Sequence, residues 1–210
     1  VTDQVYLVKP NIKLEKEYLE FYEEWKASGE KLAPSIIRKA PSDFAGMVDF
    51  FLNNEKGINL PEGWVHNSTY WLVNENNRVL GAANIRHELT ERLYNSEGHI
   101  GCGIRPSERR KGFATKILSL SLEKMHELGI SKVLVTCNED NVGSERAILK
   151  NGGKEDVSYT EENGNVVKRF WIDLEKDGAE QEYSLVTSDR FGFKSRKAVK
   201  RKPNFRQVWC

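Results

Sequence analysis

Apolar residues recur along this chain with two different periods, and the switches between them divide it into elements. Val5 to Val8 is a short apolar run closed by Pro10, which reads as a strand. From Lys13 to Ala27 the period becomes helical. Leu14, Tyr18, Phe21, Tyr22 and Trp25 share one face and read as a core-facing stripe. After a connection over residues 28–41, Ser42 and Asp43 can cap a second helix through Phe51, with Phe44, Met47, Val48 and Phe51 as its stripe. Gly57 to Asn67 is a loop carrying Trp64 and His66. Thr69 to Val73 and Arg78 to Ile85 are two strands joined across the turn-rich tetrad NENN. The second of them runs into a polar cluster, Arg86, His87 and Glu88.

The stretch from Glu97 to Leu118 organises the rest. A Gly-rich apolar run turns at Pro106 and becomes amphipathic, with Ala114, Leu118, Leu122 and Met125 at helical spacing. Arg109, Arg110, Lys111 and Lys116 crowd the first turns of this helix, where the macrodipole favours negative side chains. A local rule broken in this way points to function. Free backbone N–H groups, a glycine at 112 and a cluster of cations together suit an anion, most naturally a pyrophosphate; a solvated basic turn is the bland alternative. Gly129 closes the helix. Lys132 to Cys137 is continuously apolar apart from its ends, as in a strand covered on both faces. Asn141 opens a short helix that ends at Gly152–Gly153. Val157 to Thr160 and Val166 to Leu174 form a hairpin across EENGN. The order of elements predicts an α/β fold: a mixed, mostly antiparallel central sheet with helices on both faces.

Charge divides the chain again. Up to Leu174 there are 23 Lys/Arg against 26 Asp/Glu; from Glu175 onward there are 9 against 5. A mildly acidic body with a basic tail argues against a body built to grip nucleic acid. The division is read as a domain over residues 1–177 and a basic C-terminal extension over 178–210. In the extension Tyr183 to Val186 could form a short strand, and Phe193 to Arg206 carries seven cations and no acid. No apolar run approaches membrane-spanning length, and no signal-peptide pattern opens the sequence. Three cysteines give little sign of a disulfide framework, and Cys102 reads as a small buried hydrophobe. A cytoplasmic location is the expectation.

Arg109, Gly112 and Ala114 match the pattern Gln/Arg-x-x-Gly-x-Gly/Ala, and they follow an apolar strand and lead into a helix. With the strand over 132–137 and Asn141 behind them, the chain from Val5 to Leu174 resembles the GNAT superfamily of N-acetyltransferases, in particular its bacterial predicted acetyltransferases. The resemblance implies acetyl-CoA as co-substrate, whose pantetheine arm pairs with backbone at Cys102, Gly103 and Ile104. Its pyrophosphate would meet the N–H groups from Arg109 through Arg110, Lys111, Gly112, Phe113, Ala114 and Thr115, with Asn141 contacting the arm. Many members carry a Tyr general acid seven residues after that Asn; here Ile148 stands there. The base candidates are His99, then Glu88, then His87. No metal is expected, since none of these has ligand spacing. The implied function is acetyl transfer to a primary amine of a small molecule or peptide by direct attack in a ternary complex. The alternatives are aminoglycoside-type antibiotic acetylation, which would favour an acidic acceptor cleft, and a catalytically weak acyl-CoA-binding module, motivated by Ile148. Homodimers are common in the superfamily. No membrane partner is expected.

Overall fold

A computed structural model describes residues 4–174. In chain order these form β1 (Val5–Val8), α1 (Glu15–Ala27), α2 (Phe44–Lys56), β2 (Asn67–Asn74), β3 (Val79–Arg86), β4 (Ile100–Ile104), α3 (Phe113–Glu127), β5 (Lys132–Asn138), α4 (Val142–Lys150), β6 (Lys154–Thr160) and β7 (Val166–Asp173). The basic extension, its expected strand at 183–186 and the boundary at residue 177 lie outside the described residues. Among those described, no helix is long and apolar enough to cross a membrane.

Local chemistry explains the helix limits. The Asp43 side chain accepts from Gly46 N–H at 2.9 Å and starts α2. The sequence reading ended this helix at Phe51, but it continues to Lys56. The first residue able to stop it is Gly57, which takes the left-handed conformation at φ 72°.

The sheet is hydrogen-bonded in two halves, β1-β2-β3-β4 and β5-β7-β6, and every ladder within them is antiparallel. One face of the first half is covered by α1 and α2. Tyr18, Phe21, Trp25, Phe44 and Phe51 there bury themselves against Trp71 and Val73 of β2, so the aromatic stripe of α1 is core, as its spacing predicts. On the other face α3 spans both halves. Its Ile117 joins Leu80 and Cys102, while its Leu118 and Met125 join Ile85, Val133 and Phe170. Helices therefore lie on both faces, and α3 bridges the place where the two half-sheets meet. Cys137 is a free, buried thiol whose pKa burial pushes up to about 12. Cys102 is buried in the core, as the sequence reading expects, but it is disulfide-bonded, which corrects the reading of the cysteines as carrying little sign of a disulfide and removes them as an argument for a reducing compartment.

Candidate functional site

Strands β4 and β5 touch at one end and part at the other. His99 N–H, just ahead of β4, donates to the Leu134 carbonyl at 2.8 Å. Leu134 N–H donates in return to His99 Nδ1 at 2.9 Å. Both backbone groups of Leu134 thus go to one residue, and an imidazole nitrogen takes the place of the carbonyl that would continue a ladder. Past this point Ile100–Cys102 and Thr136–Asn138 line opposite sides of a cavity. Gly98 permits the contact. It sits at φ 63°, and a Cβ there would stand 2.6 Å from the Leu134 oxygen. Because a backbone N–H can only donate, Nδ1 is unprotonated, and burial pushes the His99 pKa down to about 4.

A cavity of about 610 Å³ opens between the end of β4 and the starts of α3 and α4. Gly103, Ile104, Arg109, Arg110, Gly112, Ala114, Thr115 and Asn141 line it, as the sequence reading expects. Lys111 and Phe113 do not. The first pairs with Glu108 at 2.9 Å and the second packs into the core beside Ile117. Cys102 lines the neighbouring cavity instead. The first backbone bond of α3 runs from Lys116 N–H to the Gly112 carbonyl, so the N–H groups of residues 113–115 have no partner within the helix. Arg110 and Gly112 are both left-handed, at φ 64° and 88°, and curl the loop in the manner of an anion nest. Sequence reasoning missed Arg146 and Lys150, which α4 presents one turn apart toward the same cavity. With Arg109 and Arg110 they make four cations, and among the described residues no carboxylate lines this space.

Helix α1 holds the loop from outside. Glu24 accepts from Arg105 Nε and, at 2.9 Å, from Ser107 N–H. Burial pulls the Glu24 carboxyl upward, but these donors outweigh it and hold it below the usual range. Arg109 is similarly engaged. Its Nε donates to the Ile104 carbonyl at 3.1 Å, its guanidinium meets Glu30 at 2.7 Å, and it lies over the Trp25 ring. The Asn141 side chain accepts from Ser144 N–H at 3.1 Å and caps α4. Ile148 is fully buried in the core.

A second cavity, about 380 Å³, lies on the His99 side. Buried Arg86 donates to the Glu97 carboxylate at 2.9 Å and to the carbonyls of Glu97 and Gly98. Arg92 takes the other Glu97 oxygen. Lys31 and Arg38, from the segment between α1 and α2, close one side; Glu161 and Asn165, from the β6–β7 turn, close another. Asn165 Nδ2 donates to Asn138 Oδ1 at 3.1 Å and to Glu161 at 2.8 Å. The segment after α1 reaches β4 because residue 103 lacks a side chain. A Cβ there would stand 2.4 Å from the Ala33 carbonyl oxygen and 2.5 Å from the Trp25 ring. Of this cavity the sequence showed only a polar cluster at Arg86; the partner Glu97 and the cations at 31, 38 and 92 carried no spacing signal.

The three base candidates fall elsewhere. Glu88 is exposed. His87 bonds Ser68 Oγ through Nε2 at 2.9 Å, and burial lowers its pKa. His99 is the strand wedge described above. None of the three lines either cavity.

A family model described as the acetyltransferase (GNAT) domain matches residues 16–154. No curated protein matches the chain. Among solved structures, an acetyl transferase from Salmonella typhimurium that modifies the N-terminal serine of ribosomal protein L7/L12 superposes with a TM-score of 0.59 at 13% identity, covering 83% of this chain and 97% of its own. The microcin C7 self-immunity acetyltransferase, solved with acetyl-CoA and AMP, gives 0.59 at 15% identity over 82% and 93%. A spermidine N-acetyltransferase chimera from Vibrio cholerae and hSSAT gives 0.54 at 14% identity over 81% and 96%. At these identities the likeness is one of fold.

Proposed function

This chain belongs to the acetyltransferase (GNAT) domain family, and we propose that it transfers the acetyl group of acetyl-CoA to a primary amine by direct attack in a ternary complex. The observation that carries the reading is the continuity of the two cavities along one strand. Ile100, Gly101 and Cys102 of β4 line the smaller, and the next residues, Gly103 and Ile104, line the larger. Two ligands entering from opposite ends would meet at the middle of β4.

The larger cavity suits a polyanion. Arg110, Arg146 and Lys150, beside an Arg109 already paired with Glu30, together with the N–H groups at the start of α3 that have no partner within the helix, favour a pyrophosphate there. Acetyl-CoA supplies the activated acetyl group as a thioester. The strand backbone at Cys102–Ile104 would hold its arm, much as an edge accepts an added strand. The amine nitrogen then attacks the thioester carbonyl carbon, the C–N bond forms, and the C–S bond breaks with its electrons going to sulfur. The amine proton leaves to solvent through the smaller cavity, and the thiolate is reprotonated from solvent. Ile148, held in the core, takes no part. We assign His99 to positioning: its ring sets the width between β4 and β5 and has its Nδ1 lone pair committed to Leu134.

Among acceptors, a polycationic aminoglycoside calls for an acidic cleft. Among the described residues the smaller cavity has four cations, Lys31, Arg38, Arg86 and Arg92, against two acids, Glu97 and Glu161, which supports a different amine. The test is mass-resolved acetylation of an amine panel with acetyl-CoA, alongside calorimetric binding of acetyl-CoA alone. Acetylated amine with stoichiometric CoA release is the expected result. Tight acetyl-CoA binding with no product from any amine would return the chain to the acyl-CoA-binding reading.

A further inference from the structure

We propose that Glu161, on the turn between β6 and β7, is the catalytic base and takes the proton of the acceptor amine on its way to solvent. The inference rests on reading the smaller cavity as the acceptor chamber. His99, His87 and Glu88 line neither cavity, so the proton acceptor is sought among the groups that do. Lysine and arginine side chains are donors only, and amides and hydroxyls are too weakly basic. Cys102 is disulfide-bonded, and Cys137 stays a thiol because burial pushes its pKa up to about 12. Among the described lining residues two carboxylates are left, Glu97 and Glu161.

The two differ in what already holds them. Both Glu97 oxygens are taken by guanidinium groups, Oε2 by Arg86 at 2.9 Å and Oε1 by Arg92. Protonating Glu97 would break two ion pairs, one of them to a buried arginine, so it serves as wall. Glu161 makes no ion pair among the described residues. Its Oε2 accepts from the neutral Asn165 Nδ2 at 2.8 Å, and no described donor meets its Oε1. The turn that carries it is fixed to β5. Asn165 Nδ2 also donates to Asn138 Oδ1 at 3.1 Å, Glu139 N–H donates to the Val166 carbonyl at 2.9 Å, and Glu161 N–H donates to the Asn165 carbonyl at 2.9 Å. One carboxylate oxygen is thereby positioned and the other is left for the amine. As the nitrogen forms its bond to the thioester carbon, its proton moves to Glu161 Oε1. The C–S bond breaks with its electrons going to sulfur, and the thiolate is reprotonated from solvent. Glu161 is only half-buried, so it returns to its carboxylate by releasing the proton to water.

The experiment uses the full chain, saturating acetyl-CoA and three compact primary amines, ethylamine, ethanolamine and glycinamide. Mass-resolved acetylation gives kcat and KM, calorimetry gives acetyl-CoA affinity, and a melting curve gives stability. Glu161→Gln keeps the shape and an oxygen for Asn165 but cannot take the proton. With every amine that the unaltered chain acetylates, its kcat should fall by about 10²–10⁴-fold, while KM, acetyl-CoA affinity and Tm stay unchanged. Glu161→Ala should lose as much, and added formate, a carboxylate small enough for the vacated space, should restore part of its rate. Formate should do nothing for the unaltered chain or for Glu161→Gln. A merely structural residue predicts a lower Tm, and one that only binds the amine predicts a higher KM; neither predicts rescue. Near-normal kcat in Glu161→Gln, a loss confined to KM or Tm, or no response to formate overturns the inference and leaves acetyl transfer standing. If the unaltered chain binds acetyl-CoA but acetylates none of the three amines, the proposed function fails and the base falls with it.

Discussion

The two cavities are both cationic, yet they are made from different materials. The larger one is mostly backbone: a left-handed loop, the open first turn of α3 and the end of β4, with its cations on one loop and one face of α4. The smaller one is mostly side chains, and they come from α1–α2, β3, the approach to β4, β5 and the β6–β7 turn. Backbone donors fixed by a loop recognise a phosphate whatever the rest of the ligand is, and the loop holds its shape because Glu24 and Arg105 clamp it from outside. Side chains gathered from many segments can be exchanged one at a time. On the proposed function, the common substrate would fall to the rigid half and the variable one to the assembled half.

The largest effect that would break this contrast is expected at Gly112. Gly112→Asp puts a carboxylate where the loop approaches an anion and forces a side chain into a left-handed position. Acetyl-CoA affinity should fall by about 100-fold or more, equivalent to roughly 3 kcal/mol. Nothing lies within 4 Å of the added Cβ, so folding should lose only the conformational cost of about 1–2 kcal/mol. Calorimetry and a melting curve on the same sample measure the two separately, and unchanged affinity would remove the loop from the cofactor site.

The clamp comes next. Glu24→Ala leaves the Arg105 guanidinium buried without its carboxylate. Loss of about 3 kcal/mol is expected, at the low end for a broken buried pair because the Glu24 side chain is 28% exposed. The melting temperature should drop by roughly 5–10 °C. A stable variant with normal cofactor affinity would show that the loop keeps its shape unaided.

His99 sharpens the contrast at the seam between the halves. Its folded pKa lies near 4, below the ordinary 6.5. Between those values the unfolded chain binds a proton that the folded one refuses. The contribution of the neutral ring is therefore complete above about pH 6.5 and is lost as pH falls toward 4, up to roughly 3 kcal/mol. His99→Asn, whose Oδ1 can accept from Leu134 N–H but does not titrate, should flatten that part of the stability profile. His99→Ala should cost about 2 kcal/mol at pH 7, because the Leu134 N–H loses its partner. If the Asn variant instead stays stable but turns over about 100-fold more slowly at pH 7, the ring acts as a base after all.

The smallest expected change is at Arg109, the first residue of the matched pattern. Its guanidinium is already used by the Ile104 carbonyl and Glu30. Arg109→Gln should weaken acetyl-CoA by about threefold, a fraction of a charged hydrogen bond. A loss as large as that at Gly112 would mean that side-chain charge, and not backbone, dominates the larger cavity.

What could be read in the sequence follows the same division. Helix and strand periods located every element from β1 to β7, because burial against a core imposes those periods on contiguous residues. The lining of the larger cavity was legible for a related reason: Arg109, Gly112 and Ala114 lie within about one turn, so their spacing along the chain is their spacing in space. Other features depended on residues far apart in sequence. The His99 ring matched a strand position from which catalysis was a fair expectation, and only its contact with Leu134, 35 residues away, shows it as a wedge. Arg109 reads as a phosphate ligand from its motif, and only the fold shows Glu30, 79 residues earlier, against its guanidinium. The smaller cavity is the extreme case. Lys31, Arg86, Glu97 and Glu161 share no period and no motif, and their common space exists only because β4 and β5 part where they do. Local periodicity and loop chemistry determined the fold and the lining of the larger cavity; the smaller cavity was decided by how the folded segments converge.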